Sequence, residues 1–201
     1  MDSTKTFLGV LVDRSGSMAS MKTEAEAGIK QFFKEQREAT PKGHTVITSL
    51  AQFDNNYEMV WNNQPITDVP DYELHPRSMT ALLDGIGRFV TETGAELDKL
   101  NEDEKPGTVI IVIVTDGQEN ASQEFNAKQV RELVKHQESK YNWDFVFLGA
   151  NMDAVAEASK IGIGARGAMT YEATGDGMTQ GYAAASAYVS RVRNGDKSSV
   201  I

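Results

Sequence analysis

The chain has 201 residues, 40% of them hydrophobic, which is enough for one domain with a well-buried core. Its formal net charge of -9 and its scattered lysines and arginines argue against nucleic acid and anionic membranes as partners. The absence of cysteine excludes disulfides, thiolate metal sites and thiol nucleophiles. The first residues lack the pattern of a signal peptide, and no apolar run approaches about 20 residues, so we expect a cytoplasmic protein.

The first predicted element is a buried strand that ends at a carboxylate. Phe7 to Val12 is unbroken by charge, as is typical of a strand covered on both faces of a parallel sheet, and Asp13 follows it directly. Ser15 and Ser17 come next, in a loop that leads into a helix. Ligands of open α/β sheets bind at this edge, and oxygen donors suit a hard cation such as Mg²⁺. The same residue types are also common in turns and helix caps, so this segment alone leaves both interpretations open.

The next elements are a helix, a hairpin and an irregular loop. The helical pattern ends at Thr40 to Gly43, where proline and glycine stop it. Thr45 to Phe53 is predicted as a strand, and a tight turn joins it to a second strand from Tyr57 to Trp61. The hairpin places this second strand antiparallel, at an edge of the sheet. Asn62 to Ser78 contains three prolines and no periodicity, which predicts an irregular loop.

The second half begins with a glycine-rich helix and a strongly β-branched strand. Apolar residues recur at helical spacing from Leu82 to Leu97, although three glycines lower the intrinsic stability of this helix. Val109 to Val114 is the most β-branched run in the chain, and Thr115-Asp116-Gly117 follows it. This repeats the arrangement of strand and carboxylate at Asp13. A second aspartate, Asp116, is therefore predicted at the same edge of the sheet.

The remaining elements complete an alternation of strands and helices. Asn126 is predicted to cap a helix, with Gln129 reaching back to it in a capping box. The elements after it are a buried strand at Phe145–Leu148, a short helix capped by Asn151 and stopped at Gly162, a weak strand at Ala168–Tyr171 and a helix at Asp176–Asn194. The alternation predicts an α/β fold, a doubly wound, mostly parallel sheet with one antiparallel edge strand and helices on both faces. We predict one domain over residues 1–195 and a flexible tail over residues 196–201.

Several motifs, taken in order, resemble the von Willebrand factor type A domain. Its metal-ion-dependent adhesion site has the pattern DxSxS, then a distant threonine, then a distant aspartate followed by glycine. The matching residues here are Asp13, Ser15, Ser17, Thr80, Asp116 and Gly117. The match covers nearly the whole chain, and Phe147 to Asn151 is also similar to stand-alone bacterial and phage members of the family. The sequence departs from the pattern at Arg77-Ser78-Met79, because many relatives carry a glycine close before the threonine.

The resemblance implies a metal site that binds a partner and performs no chemistry. The hydroxyls of Ser15, Ser17 and Thr80 would bind Mg²⁺, or Mn²⁺, directly, while Asp13 and Asp116 hold the site through hydrogen bonds and waters. Uncharged hydroxyls leave the charge of the ion poorly neutralised, so it takes a further carboxylate from elsewhere. In the family this carboxylate is an aspartate or glutamate of a partner protein. The resemblance thus implies a protein-binding module without catalytic residues, and it leaves the partner's identity and the oligomeric state open.

The main alternative is a Mg²⁺-dependent phosphatase or phosphotransferase with Asp13 as the nucleophile. Phosphatases of the haloacid dehalogenase type, which the opening segment superficially resembles, carry a second aspartate two positions after the first. This chain has Ser15 there. The sequence also shows no pair of residues with a clear acid and base assignment, so the binding module is the favoured interpretation.

Three weaker features of the sequence have ordinary structural interpretations. The glycines at 162, 164 and 167 match the dinucleotide fingerprint as a string, but they follow a short helix instead of a buried strand, which favours a loop. Glu119, just after the second aspartate, could support the site from behind its ligands, but an exposed loop acid is the favoured interpretation. Met18 and Met79 flank the predicted site and are either core residues or an apolar rim around it.

Overall fold

The structure, a computed structural model, describes residues 1–196 and 201 as a six-stranded sheet with helices on both faces. The strands are β1 (Asp2–Asp13), β2 (Thr45–Phe53), β3 (Tyr57–Pro65), β4 (Pro106–Thr115), β5 (Asp144–Ala150) and β6 (Ala168–Tyr171). The helices are α1 (Lys22–Glu38), α2 (Leu82–Asp98), α3 (Ala127–Tyr141), α4 (Ala154–Lys160) and α5 (Gly175–Arg193). Short 3-10 segments lie at Gly16–Met21, Ile66–Asp68 and Ala165–Gly167.

The order of the strands is β3-β2-β1-β4-β5-β6, and among the described strands β2 and β3 form the one antiparallel pair. The predicted fold class, a doubly wound and mostly parallel sheet with an antiparallel edge strand, is therefore confirmed. β1 pairs with β2 on one side and with β4 on the other, so the strand order reverses at this point. The crevice between the carboxyl ends of β1 and β4 is the switch point at which such sheets bind ligands.

Each face of the sheet is covered by its own set of helices. Helices α1 and α5 pack against one face, and α2, α3 and α4 pack against the other. A Cβ on Gly28 would lie 2.2 Å from the ring of Tyr182, so α1 and α5 approach closely because residue 28 has no side chain. Burial of an apolar side chain stabilises the fold by about 1.5–3 kcal/mol, so the two layers hold β1 and β4 firmly in register.

The structure differs from the sequence prediction at the end of β3 and at the cap of α4, in both cases because of contacts with other segments. β3 continues through residues 62–65, which the sequence pattern assigns to a loop, because Thr48 of β2 pairs with Gln64 across the hairpin. The cap of α4 is Asp153 and not the predicted Asn151, since the Asp153 carboxylate accepts a backbone N–H of the first turn at 3.0 Å. Asn151 lies in the left-handed region, with φ of 50°, and its side chain accepts a backbone N–H from the segment after β6.

Other local predictions are confirmed. Asn126 and Gln129 form both hydrogen bonds of the capping box at the start of α3. Gly162 follows α4 with φ of 89°, so the glycine string at 162–167 forms the helix stop and a loop that ends in the short 3-10 segment before β6. Most of the predicted tail, residues 197–200, lies outside the described residues. Within the described part of the chain, no helix is long and apolar enough to cross a membrane.

Candidate metal centre

Asp13 is the buried centre of the candidate site. It ends β1 and is completely shielded from solvent. Oδ1 accepts the Ser15 N–H at 2.7 Å, and Oδ2 accepts the Thr115 hydroxyl at 2.6 Å. Burial raises the pKa of Asp13 to about 6, although these two hydrogen bonds act in the opposite direction. Asp13 thus joins the ends of β1 and β4 and orients the loop that follows it.

Ser15 and Ser17 connect the loop after β1 to the end of β4. Their hydroxyl oxygens are 3.0 Å apart, and the Ser17 hydroxyl donates to Oδ1 of Asp116 at 2.8 Å. Ser15 is buried and Ser17 is exposed, so the pair leads from the interior to the surface. Asp116 is half-buried, and burial raises its pKa although the hydrogen bond from Ser17 opposes the shift. Both predicted aspartates therefore lie at the same point of the sheet edge.

Thr80 reaches this point from a different loop. Its side chain is buried. The space around Gly117 shows that the Thr80 hydroxyl also lies close to Asp13. A Cβ on Gly117 would be 2.7 Å from the Thr80 hydroxyl oxygen and 3.4 Å from Oδ2 of Asp13. A side chain at position 117 would therefore fill the space between them. The residues predicted from sequence are thus brought together at the switch point, and the glycine keeps the space beside them open.

Asn120 binds the main chain of Thr80 on both sides. The Thr80 N–H donates to the side-chain carbonyl of Asn120 at 2.9 Å, and the Asn120 N–H donates to the Thr80 carbonyl at 3.0 Å. Sequence reasoning missed this role, because the two residues are far apart in the chain and the contact leaves no local pattern. Asn120 fixes Thr80 next to the loop that carries Asp116.

A buried ion cluster holds the site from the side of β2. Asp54, which has no solvent exposure, accepts hydrogen bonds from Arg14 Nε at 3.0 Å and from Arg77 Nε at 2.7 Å. Arg14 also lies 2.5 Å from the Glu58 carboxylate. Burial favours a higher pKa for Asp54, but the hydrogen bond from Arg77 and the charges of both arginines outweigh it and hold the pKa below its usual range. Because Arg14 follows Asp13 directly, this cluster connects the β2–β3 turn to the candidate site.

Two acidic side chains join the loop after β4 to the start of α2. Glu119 accepts the Leu83 N–H at 3.0 Å, and Asp84 accepts backbone N–H groups of residues 123, 124 and 125 at 2.8–2.9 Å. The interpretation of Glu119 as an exposed loop acid is therefore wrong, since it is half-buried and caps a helix from another loop. Ala81, at the N-cap position, has no side chain that could do this.

The two methionines that flank the site differ in position. Met18 is fully buried in the core, whereas Met79 is 55% exposed beside Thr80. Ser78, just before it, lies in the left-handed region with φ of 66°, a conformation that glycine adopts without strain. The sequence thus departs from the family pattern in residue type, while this loop contains the kind of backbone conformation that glycine favours.

The donor set fits a hard divalent cation. It consists of the hydroxyls of Ser15, Ser17 and Thr80 and the carboxylates of Asp13 and Asp116. Oxygen donors of this kind suit Mg²⁺ or Mn²⁺ better than Zn²⁺. Within residues 1–196 and 201, no group of three or more histidines, aspartates and glutamates is arranged to hold a metal ion. A metal ion at this edge of the sheet would therefore need hydroxyl oxygens among its ligands.

Solved structures share this fold at low sequence identity. Proximal thread matrix protein 1 from the mussel byssus aligns with a TM-score of 0.64 and 15% identity, over 94% of this chain and 47% of that one. Another structure of the mussel protein, described as having a zinc-occupied MIDAS motif, aligns with a TM-score of 0.60 and 15% identity, over 90% and 47%. A von Willebrand factor type A structure from Catenulispora acidiphila aligns with a TM-score of 0.59 and 14% identity, over 92% and 42%. The chain thus spans about half the length of these proteins or less.

No protein-family model and no curated protein matches the sequence. The likeness is therefore one of structure, and it extends over at least 90% of this chain in the three comparisons. It agrees with the strand order and with the helices on both faces of the sheet. The chain has the fold of a von Willebrand factor type A domain.

Proposed function

We propose that this domain is a divalent-metal-dependent module that binds a partner protein. Mg²⁺ is the proposed ion, with Mn²⁺ able to replace it, and an aspartate or glutamate of the partner is the proposed ligand from outside. The hydroxyls of Ser15, Ser17 and Thr80 would contact the ion, and Asp13 and Asp116 would hold these hydroxyls and the bound waters. The observation that carries the proposal is the convergence of these side chains, from three separate loops, at the switch point. The cytoplasm, expected from the sequence, is the proposed compartment.

The distribution of charge around the site supports capture of a carboxylate. Both oxygens of Asp13 already accept hydrogen bonds, so this residue is suited to orienting Ser15 rather than to contacting an ion. The hydroxyls that remain are uncharged and retain lone pairs for a metal. An ion held mainly by neutral oxygens supplies positive charge that attracts a further carboxylate.

The zinc-occupied MIDAS motif of the mussel protein also supports the proposal. It gives an example of a divalent metal in a structure of the same fold. The two chains are only 15% identical, so the choice of Mg²⁺ for this protein rests on its own oxygen donors.

The position of Asp13 argues against the alternative of a phosphoryl-transfer enzyme. A nucleophilic carboxylate must present an oxygen to the reacting atom, whereas Asp13 is completely shielded from solvent and both of its oxygens are engaged. We therefore expect no Mg²⁺-dependent hydrolysis of a generic aryl phosphate above the level of Asp13→Asn. Turnover that Asp13→Asn abolishes would favour the enzyme instead.

Thermal unfolding with and without metal tests the site directly. Binding to the native state stabilises by RT ln(1 + [L]/Kd), which is about 2.7 kcal/mol at 100 times Kd. We expect Mg²⁺ and Mn²⁺ to raise the Tm of the metal-free protein, and we expect Asp116→Asn to remove most of this shift. Asp103→Asn, which changes an exposed acid in the turn before β4, is the matched control and should keep the shift. A Tm that does not respond to saturating metal would refute the proposed centre.

Partner capture needs a separate experiment. Affinity capture would be carried out in Mg²⁺, in chelator, and in Mg²⁺ with Thr80→Val. Proteins retained in the first condition and lost in the other two are the expected partners. Their acidic residues would then be replaced one at a time, and a partner that binds equally well without any single carboxylate would contradict the proposed mode of binding.

A further inference from the structure

Two buried tyrosines on the side of the sheet that α1 and α5 cover have hydroxyl groups without a partner. Tyr171 and Tyr182 are each only 4% exposed. Neither hydroxyl has a hydrogen-bond partner among the residues that the structure describes. A buried polar group without a partner costs free energy that phenylalanine at the same position would avoid. A role for the hydroxyl in another state of the protein would explain why tyrosine is present.

Tyr171 lies in the same row of the sheet as Asp116. Thr115 of β4 pairs with Gly149 of β5. The next residue of β5, Ala150, pairs with Tyr171 of β6. Asp116 comes one residue after Thr115, so Ala150 lies between it and Tyr171. Neighbouring strands are about 4.8 Å apart, so the main chains of Asp116 and Tyr171 are roughly 10 Å apart, with only a small alanine side chain between them.

Asp116 and Tyr171 lie on the same face of the sheet. Ala150 and Tyr171 belong to the core between the sheet and helices α1 and α5. Val114, two residues before Asp116, belongs to the same core. Residues two positions apart in a strand point to the same face, so the alternation of β4 places Asp116 on the face of Tyr171. The hydrogen bond of Asp116 with Ser17, which lies in the segment before α1, agrees with this placement.

The negative charge of Asp116 acts on the Tyr171 hydroxyl. Burial is the main cause that raises the pKa of Tyr171, and the charges of Asp116 and Asp13 raise it further. Tyr182 differs, because burial raises its pKa together with the charges of Tyr171 and Tyr72 instead of the aspartates. Of the two buried hydroxyls without a partner, that of Tyr171 is therefore the one associated with the candidate metal centre.

The main chain and the ring of Tyr171 are both held in place. The Asn151 N–H donates to the Tyr171 carbonyl at 2.9 Å. A Cβ on Gly181 of α5 would lie 3.2 Å from the Tyr171 ring, so the helix packs closely against the ring. The hydroxyl therefore has a fixed position. Because a carboxylate only accepts hydrogen bonds, the tyrosine would be the donor in a hydrogen bond with Asp116.

We propose that Tyr171 is a positioning residue of the metal centre, whose hydroxyl donates a hydrogen bond to the Asp116 carboxylate when the ion is bound. This inference rests on the proposed function. In the metal-free protein, Ser17 is the one side chain among the described residues that donates to Asp116. When the lone pairs of Ser15 and Ser17 face the ion, the hydrogen bond between these two oxygens is lost, and the carboxylate joined to Ser17 turns with it. Tyr171 then holds Asp116 from the interior.

Metal titration of Tyr171→Phe tests this role, with Tyr182→Phe as the matched control. Each substitution removes one buried hydroxyl that has no partner, so neither should destabilise the metal-free protein. Calorimetry with Mn²⁺ should show about tenfold weaker binding in Tyr171→Phe, as expected for the loss of a hydrogen bond to a charged group. Tyr182→Phe should bind the metal as the wild type does. At a metal concentration of about 100 times the wild-type Kd, tenfold weaker binding roughly halves the gain in unfolding free energy.

A spectrum of the unaltered protein tests the hydrogen bond itself. Tyrosine labelled with ¹³C at Cζ reports the hydrogen bonding of its hydroxyl by NMR. The signals of Tyr171 and Tyr182 are identified by their absence from the spectra of the two phenylalanine variants. We expect Mg²⁺ to shift the Tyr171 signal and to leave the Tyr182 signal in place. A hydroxyl with a purely structural role would not respond to the metal in this way.

The possible results separate this inference from the proposed function. Wild-type Mn²⁺ affinity in Tyr171→Phe, or a Tyr171 signal that Mg²⁺ does not shift, would overturn the role of Tyr171 and leave the metal centre intact. Equal weakening of metal binding in Tyr182→Phe would overturn it as well, because the effect would then come from packing of the core. Absence of metal binding by the wild type would refute the metal centre and this inference together.

Discussion

Ser78 has a φ of 66°, and its carbonyl oxygen accepts the Gly16 N–H at 3.1 Å. This hydrogen bond joins the loop of Thr80 to the loop of Ser15. A Cβ on Gly16 would lie 3.3 Å from the same carbonyl oxygen, so glycine permits the close approach. The left-handed conformation costs an ordinary residue about 1–2 kcal/mol, and the contacts between the two loops offset this cost.

Replacement of Ser78 by glycine should stabilise the protein. Glycine removes the left-handed strain but loses more entropy on folding, so we expect a net gain of about 0.5–1 kcal/mol and a higher Tm. Ser139→Gly, on the exposed side of α3, is the matched control and should lower stability by roughly 0.5 kcal/mol. Urea denaturation of both variants measures the difference. A loss of stability in Ser78→Gly would mean that the serine side chain contributes more than the backbone strain costs.

The hydroxyl of Thr80 should be needed for metal binding and not for folding. Thr80→Val keeps the shape of the side chain and removes the proposed ligand, so the Mg²⁺-dependent rise in Tm should become much smaller. The unfolding free energy of the metal-free protein should change by about 1 kcal/mol or less. Thr80→Ser retains a hydroxyl and should keep most of the metal response. Calorimetric titration with Mn²⁺ provides an independent measurement. Wild-type metal affinity in Thr80→Val would show that Thr80 is not a ligand.

The Asp54 cluster should make stability depend on pH in the acid range. Because the folded pKa of Asp54 lies below the ordinary value of 3.8, the stabilisation is fully present above about pH 4 and is lost as pH falls through the folded pKa. Asp54→Asn should cost about 2 kcal/mol at pH 7, less than for a fully buried pair, because Arg77 is exposed and Glu58 still pairs with Arg14.

Unfolding of the wild type and Asp54→Asn would be compared from pH 7 down to pH 3. The difference in unfolding free energy between them should be constant above pH 4 and shrink below it. Asp68→Asn, at an exposed acid in the 3-10 segment after β3, is the control and should show no such change. A difference that grows as the pH falls would contradict the assigned direction of the pKa shift.

Removal of the hydroxyl group should change the unfolding free energy in opposite directions at two buried tyrosines. The Tyr171 hydroxyl is buried without a hydrogen-bond partner among the described residues, whereas the Tyr72 hydroxyl donates to Gln52 at 3.0 Å. We expect Tyr171→Phe to leave the unfolding free energy unchanged or to raise it by about 1 kcal/mol, and Tyr72→Phe to lower it by a similar amount. Urea denaturation checks both values. Equal destabilisation by the two substitutions would show that the Tyr171 hydroxyl has a partner.

Strands β1 and β4 were predictable from the sequence because strands buried on both faces consist of continuous apolar runs. Asp13 and Asp116 follow those runs directly, so their meeting at one edge was also predictable from the geometry of parallel strands. The capping box of Asn126 was predictable for a different reason. Its hydrogen bonds link residues three positions apart, and such local contacts leave a pattern in the sequence.

Contacts between distant segments were not predictable in this way. The arginines at 14 and 77 meet Asp54 across separate loops, and Glu119 caps a helix that begins far earlier in the chain. Such pairs depend on the packed fold and have no fixed spacing.

The hydrogen bond between Thr115 and Asp13 spans 102 residues of the chain. A ribosome adds about 5–20 residues per second, so roughly 5–20 s pass between synthesis of the first aspartate and synthesis of its partner strand. During this interval the nascent chain contains Asp13, Ser15 and Ser17 but has no β4 to cover one edge of β1. An incomplete chain that stops before β4 therefore exposes an apolar strand that chaperones can bind, and its proposed metal centre is complete only when that edge is covered.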